Sequence, residues 1–146
     1  MESYSSYTIL PESHLIVTNF QGSITIKDII QLNLKFIADK SYDSTFDLLM
    51  DFRDSTALAF KMDITDFFDF FKKNVFLKKR IRNGILHSTP NQKYLVSVYT
   101  PTASLMKIDV KDFKEIDSYF DWMQYPDDEQ QIIKEKLKSI KSKLTD

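Results

Sequence analysis

The chain has no cysteine, so a disulfide framework, a thiolate metal site and a cysteine nucleophile are all excluded. Two glycines and four prolines in 146 residues leave little material for tight turns. No apolar run approaches the roughly 18 residues needed to span a bilayer as a helix, so no membrane span is expected. The net charge of −1 supplies no overall field for phosphates, which argues against nucleic acid as a partner. The N-terminal residues Met1-Glu2-Ser3-Tyr4-Ser5-Ser6 are polar and lack the basic-then-apolar pattern of a signal peptide. Together with the absent cysteines, this makes the cytoplasm the expected location.

What the chain does have is aromatic bulk. Twelve Phe and seven Tyr stand beside 42% hydrophobic and 28% charged residues, the balance of a globular chain with a core of large side chains. A chain of this length suits one domain over 1–146 and can bury about 70% of its unfolded surface. No repeat or linker divides it.

Residues Tyr7–Leu10 and His14–Phe20 read as two strands around a short turn, the second ended by Gly22. Thr25 and Asp28 form a capping-box start for a helix to about Asp39, with Ile26, Ile29, Ile30, Asn33, Leu34 and Ile37 at helical spacing. Phe46–Asp51 suits a buried strand. A Phe-rich helix is predicted from near Asp63 to about Phe76, with Ile64, Phe67, Phe68, Phe71 and Val75 on its buried face. Arg80–His87 is a strand weakened at Gly84. Thr89, Pro90 and Gln92 supply an N-cap, an N1 proline and an N3 glutamine, which predicts a helix stopping before Pro101. Met106–Val110 is a short strand, and a helix is expected from Asp112 with Phe113, Ile116, Phe120 and Met123 on one face. Pro126 breaks it before a last helix over 126–144 whose acids and lysines are ordered to suit the helix dipole. This order of elements is an α/β pattern: a mixed, mostly parallel sheet of about five strands with the first strand antiparallel at one edge.

Leu10-Pro11-Glu12, the close of the second strand at Phe20-Gln21-Gly22, and Asp51-Phe52-Arg53-Asp54 come in an order that resembles the SpoIIAA-like family, whose fold is STAS-like. Thr89-Pro90-Asn91-Gln92 and Lys107-Ile108-Asp109-Val110, followed by a helix ending with Trp122, extend the likeness over about 4–124. The resemblance implies the fold and a habit of binding proteins or small apolar ligands. The chain departs from the antagonist members of that class, whose phosphorylated serine lies in an Asp-Ser-Ser-Gly type segment. Here Ser55-Thr56 follows Asp54 without a glycine.

In open α/β sheets ligands gather beyond the carboxyl ends of the parallel strands. If the third and fourth strands are neighbours, Asp51, Arg53, Asp54, His87, Ser88 and Thr89 meet there. Functionally, Arg53 and the N–H groups near Pro90 would hold an anion, and His87 would serve as acid or base. Structurally, Arg53 pairs with Asp51 or Asp54, and Ser88 and Thr89 merely cap a helix. Phe70 and Phe76 fall outside the buried stripe and would form a partner-docking patch if exposed. Ile133, Leu137, Ile140 and Leu144 make a narrow seam that either covers the chain's own sheet or docks on another subunit. His14 has no visible partner.

Motifs for phosphate loops, zinc proteases and serine hydrolases are absent, and two distant histidines do not make a zinc site, so neither metal nor cofactor is expected. The reading is a non-enzymatic binding or regulatory domain acting on a protein partner or as a homodimer. A carrier or sensor of a small apolar or anionic ligand is the alternative. An enzyme joining His87 to Asp51 or Asp54 is the third reading and needs those groups in contact.

Overall fold

A computed structural model of the chain describes residues 3–58 and 64–145. Strand β1 (Ser3–Leu10) turns through a short 3-10 segment, Pro11–Ser13, into β2 (Leu15–Ile24), and the two pair antiparallel. The turn closes at His14, whose left-handed backbone (φ 50°) lets its N–H reach the Pro11 carbonyl. From β2 onward strand and helix alternate: α1 (Ile26–Ile37), β3 (Asp47–Ala57), α2 (Ile64–Asn74), β4 (Ile81–Leu86), α3 (Pro90–Leu105) and β5 (Ile108–Phe113). Two further helices follow, α4 (Ile116–Met123) and α5 (Asp127–Thr145). The sheet order is β1-β2-β3-β4-β5, with β2 to β5 mutually parallel.

Because parallel neighbours follow in sequence, crossovers of a single hand put α1, α2 and α3 on the same face. Alternation along the strands then divides the core in two. Ile16, Phe20, Leu48, Met50, Phe52, Ile81 and Ile85 face those three helices. Leu15, Val17, Leu49 and Leu86 face the other way and pack against Tyr119 and Phe120 of α4 and Ile133, Leu137 and Ile140 of α5. Gly84 lies on this second face beside the buried Tyr119 ring, where a side chain would overlap that ring.

Both capping boxes form. Thr25 accepts from the Asp28 N–H while Asp28 accepts from the Thr25 N–H, and Thr89 and Gln92 do the same for α3. The buried stripe of α1 is rotated from the expected one: Leu32 and Phe36 are inside, Leu34 is exposed, and Asn33 is buried with its amide bonded back to the Ile29 carbonyl at 2.8 Å.

Other boundaries move as well. Strand β2 does not end at Gly22 but continues to Ile24, with Gly22 supplying a backbone φ of 80° that few other residues accept. Strand β3 runs past Asp51 to Ala57, so Arg53 and Asp54 are strand residues. Helix α3 does not stop at Pro101. The exposed proline leaves Tyr99 and Ala103 buried on the other side, and the Thr100 hydroxyl bonds the Val96 carbonyl at 2.7 Å. Phe113 ends β5, opposite Leu86, rather than opening a helix. The expected helix start at Asp63 lies outside the described residues.

Candidate functional site

The sequence-predicted residues separate into two constellations. Strands β3 and β4 are indeed neighbours, but their terminal side chains part. Along β2 and β3 the register passes from Asn19 opposite Asp51 to Gln21 opposite Asp54, so three residues of β3 oppose two of β2. This bulge turns Asp51 and Asp54 to the same face, with Arg53 between them. That face lies beneath the last turns of α5.

There Asp51 is 0% exposed, and its carboxylate takes two hydrogen bonds from the Arg53 guanidinium, Nε to Oδ1 at 2.9 Å and Nη2 to Oδ2 at 3.1 Å. The Arg53 backbone N–H adds a third at 3.1 Å. Lys141 of α5 reaches Asp51 Oδ2 at 3.0 Å and Asp54 Oδ2 at 3.3 Å. Burial pushes the Asp51 carboxyl upward, but the Arg53 hydrogen bond and the charges of Arg53 and Lys141 outweigh it and hold the carboxyl below its ordinary range. The same partnership raises Arg53 against the opposing effect of burial. Beside this network Gln21 donates to Asn19 at 2.7 Å and to the Lys141 carbonyl at 3.2 Å, and Ser6 donates to the Ile140 carbonyl at 3.2 Å. Lys141 is thus spent on holding α5 to the sheet, and Arg53 on Asp51 within β3.

His87 follows β4 and belongs to the other constellation. Its Nε2 lies 2.7 Å from Asp112 Oδ2 on β5, and the same oxygen lies 2.6 Å from Lys93 Nζ on α3. Burial raises the Asp112 carboxyl, and the Lys93 and His87 hydrogen bonds more than reverse it, so its pKa is lowered. The carboxylate partner of His87 is therefore Asp112, and neither Asp51 nor Asp54. With Ser88, Thr89, Lys93, Phe113 and Lys114, this pair lines an open cleft of about 480 Å³. Among the described residues no group of three or more His, Asp or Glu could hold a metal ion.

The two constellations are joined by Gln92, which is buried. Its Oε1 accepts from the Ser88 N–H at 2.6 Å and the Thr89 N–H at 3.3 Å, and its Nε2 donates to the carbonyls of Ser55 at 2.7 Å and Arg53 at 3.2 Å. The Ser88 hydroxyl makes a marginal 3.5 Å contact to the same Arg53 carbonyl. Asn91 adds a reciprocal pair with the Ala57 backbone at 2.7 and 3.1 Å. Ser88, Thr89 and Gln92 hold the corner between β3, β4 and α3.

The residues considered for a partner also divide. Ile133, Leu137 and Ile140 are buried in the second core, so the seam covers the chain's own sheet and is not offered to another subunit. The Leu144 side chain lies outside the described residues. Phe70 packs half-buried against the first core. Phe76 is 78% exposed, just beyond α2, and lines an open groove of about 320 Å³ together with Leu105, which is 85% exposed at the end of α3. Phe71, Val75, Leu77 and Met106 line the groove with them. Leu105 escaped sequence reasoning because the helix was expected to end before it. Asp112, Lys93 and Lys141 escaped because each lies in a different element from its partner, and no local spacing records such pairs.

These features define a class first: an α/β sheet of four parallel strands and one antiparallel edge strand, three crossover helices on one face and two C-terminal helices on the other. No protein-family model and no curated protein matches the chain. Among solved structures, it is similar to an uncharacterized protein of the DUF3478 family with a SpoIIAA-like fold from Shewanella loihica PV-4. The TM-score is 0.52 with 15% identity over 82% of this chain and 92% of that one. At that identity the likeness concerns the fold, and the chain has the SpoIIAA-like, STAS-type fold. Among the described residues no helix is long and apolar enough to cross a membrane.

Proposed function

We propose that the chain is a non-enzymatic binding or regulatory domain that acts by docking a protein partner on the groove lined by Phe76 and Leu105. The observation that carries this reading is the exposure of those two large apolar side chains on one open groove. Large apolar side chains held together in water are a cost to a folded chain, and burying both would return about 3–6 kcal/mol to a complex. The sheet interior supports the same choice. Among the described residues, two small apolar cavities beneath the crossover helices hold about 20 Å³ each, space for one water and not for an acyl chain.

A photo-crosslinking residue placed at position 76 or 105, with exposed Tyr94 as the control position, tests this in the native host or its lysate. A discrete protein adduct at 76 and 105, absent at 94 and competed away by excess unmodified protein, is expected. The same adducts at all three positions, or competition by the Phe76→Ser protein as effective as by wild type, would refute it.

A second reading has its own observation. The His87 cleft is within the size range of small-ligand sites, and of its two lysines Lys93 is paired with the cleft's own Asp112 while Lys114 is left to attract a small anion. Native mass spectrometry of gently purified protein tests it: a retained anionic ligand is expected, and a clean apo mass that inorganic phosphate does not change counts against it.

A further inference from the structure

Residues 70–108 contain eight Lys and Arg and no Asp or Glu, in a chain whose net charge is −1. Three of the eight are answered from elsewhere in the fold: Arg80 by Asp109 at 2.8 Å, Arg82 by Asp47 at 3.5 Å, and Lys93 by Asp112 at 2.6 Å. The other five are Lys72, Lys73, Lys78, Lys79 and Lys107, all exposed. None of them has a carboxylate within 4.0 Å among the described residues. Asp43 comes nearest to answering one. Its carboxyl is held low first by the Thr45 N–H and hydroxyl, and Lys78 adds a smaller charge effect.

These five are not scattered. Lys72 and Lys107 line the Phe76–Leu105 groove itself, and Lys73, Lys78 and Lys79 lie within three residues of Phe76. Lys107 is also fixed in place, with a left-handed backbone (φ 67°) and its ammonium donating to the Leu77 carbonyl at 3.3 Å. The groove therefore carries a surplus of positive charge: Lys72 and Lys107 line it, three more lysines lie within three residues of Phe76, and the paired Arg80 reaches the Ser104 carbonyl beside Leu105.

We infer that the occupant of this groove is an acidic amphipathic segment of a partner protein, with apolar side chains seated against Phe76 and Leu105 and carboxylates facing the lysines. The inference rests on the docking function proposed above and names the chemistry of its partner. A peptide is favoured over a bilayer, since the strongly exposed apolar side chains here are two, Phe76 and Leu105, a pair of anchors for a partner's side chains and too small a face to insert into lipid. Single exposed ion pairs contribute little, but clustered charge of one sign accelerates association and makes it salt-dependent.

Selection of random peptides about 16 residues long by display on the whole immobilised chain tests this without needing an identified partner. The enriched peptides are expected to be acidic with two or more apolar anchors. Their binding should fall about tenfold or more in Phe76→Ser, in the Lys72→Glu/Lys73→Glu/Lys78→Glu/Lys79→Glu variant, and between low and high salt. Phe76 and the four lysines are exposed, so circular dichroism melts should match wild type and separate lost binding from lost folding. Enrichment of neutral or basic peptides that still depend on Phe76 would overturn the acidic partner while leaving the docking function intact. Peptides indifferent to both Phe76→Ser and Leu105→Ser, or no enrichment at all, would overturn both. Phe76-dependent flotation with phosphatidylserine vesicles, without peptide enrichment, would replace the protein segment by a membrane.

Discussion

Replacing Asp51 by Asn should destabilise the fold substantially at neutral pH and much less in acid. The carboxylate sits at 0% exposure with Arg53 bonded twice and Lys141 at 3.0 Å. Removing one partner of a buried ion pair costs about 3–5 kcal/mol, because the partner charge is left without an answer. Here both cations are a quarter or more exposed, at 25% for Arg53 and 29% for Lys141, and can recover water. The expected loss is therefore about 2–3 kcal/mol, or roughly 5–10 °C in Tm for a chain of this size.

The pH dependence follows from the lowered native pKa. As pH falls through about 3.8, the ordinary value, the unfolded carboxyl takes up its proton before the native one does. The contribution is complete above that value and disappears as pH drops toward the native pKa. Asn at this position has no proton to take up, so the gap between wild type and variant should narrow below about pH 4. Urea unfolding followed by the fluorescence of Trp122 reports it well, since the single tryptophan packs against Phe113 and Tyr119. A loss below about 1 kcal/mol at pH 7, or an equal gap at pH 7 and pH 3, would refute the assignment of Asp51 as the charge that holds α5.

Three further outcomes are expected. Gly84→Ala should cost about 1–3 kcal/mol or more, because its methyl overlaps the Tyr119 ring in a packed core, and urea titration would show it. Gln92→Ala should lose at least about 2 kcal/mol in the same assay, since the backbone groups of Ser55, Ser88 and Thr89 would be left without their partner. Phe76→Ser and Leu105→Ser should each change stability by less than about 0.5 kcal/mol, and a larger loss in thermal melts would mean that these side chains serve the fold.

What could be read from the sequence was local in origin. The Thr25/Asp28 and Thr89/Gln92 boxes and the alternation of strand and helix depend on near neighbours, and they suffice for a mixed, mostly parallel sheet with its antiparallel edge. Boundaries failed where tertiary packing overruled a local signal. Pro101 is tolerated because it faces outward while Tyr99 and Ala103 anchor the helix, and Phe113 is drawn into β5 by its pairing with Leu86. Asp51 faces α5 by ordinary alternation with Leu49 and lies opposite Leu86, so His87, one residue on, points the other way, and the bulge, which leaves no trace in composition, brings Asp54 to the Asp51 face. For the same reason a site assembled from strand ends alone put together residues whose backbones adjoin but whose side chains diverge. The exposed groove was half legible: Phe76 fell outside the helical stripe, whereas Leu105 and the unpaired state of the lysines required the folded arrangement.

The claim that the groove is the docking surface is tested most directly by backbone amide NMR of the labelled chain titrated with a display-selected peptide. Shifts concentrated at residues 71–79 and 103–108 are predicted, with the amides of His87, Ser88 and Lys114 unmoved. Shifts centred on the His87 cleft, with the groove silent, would contradict it.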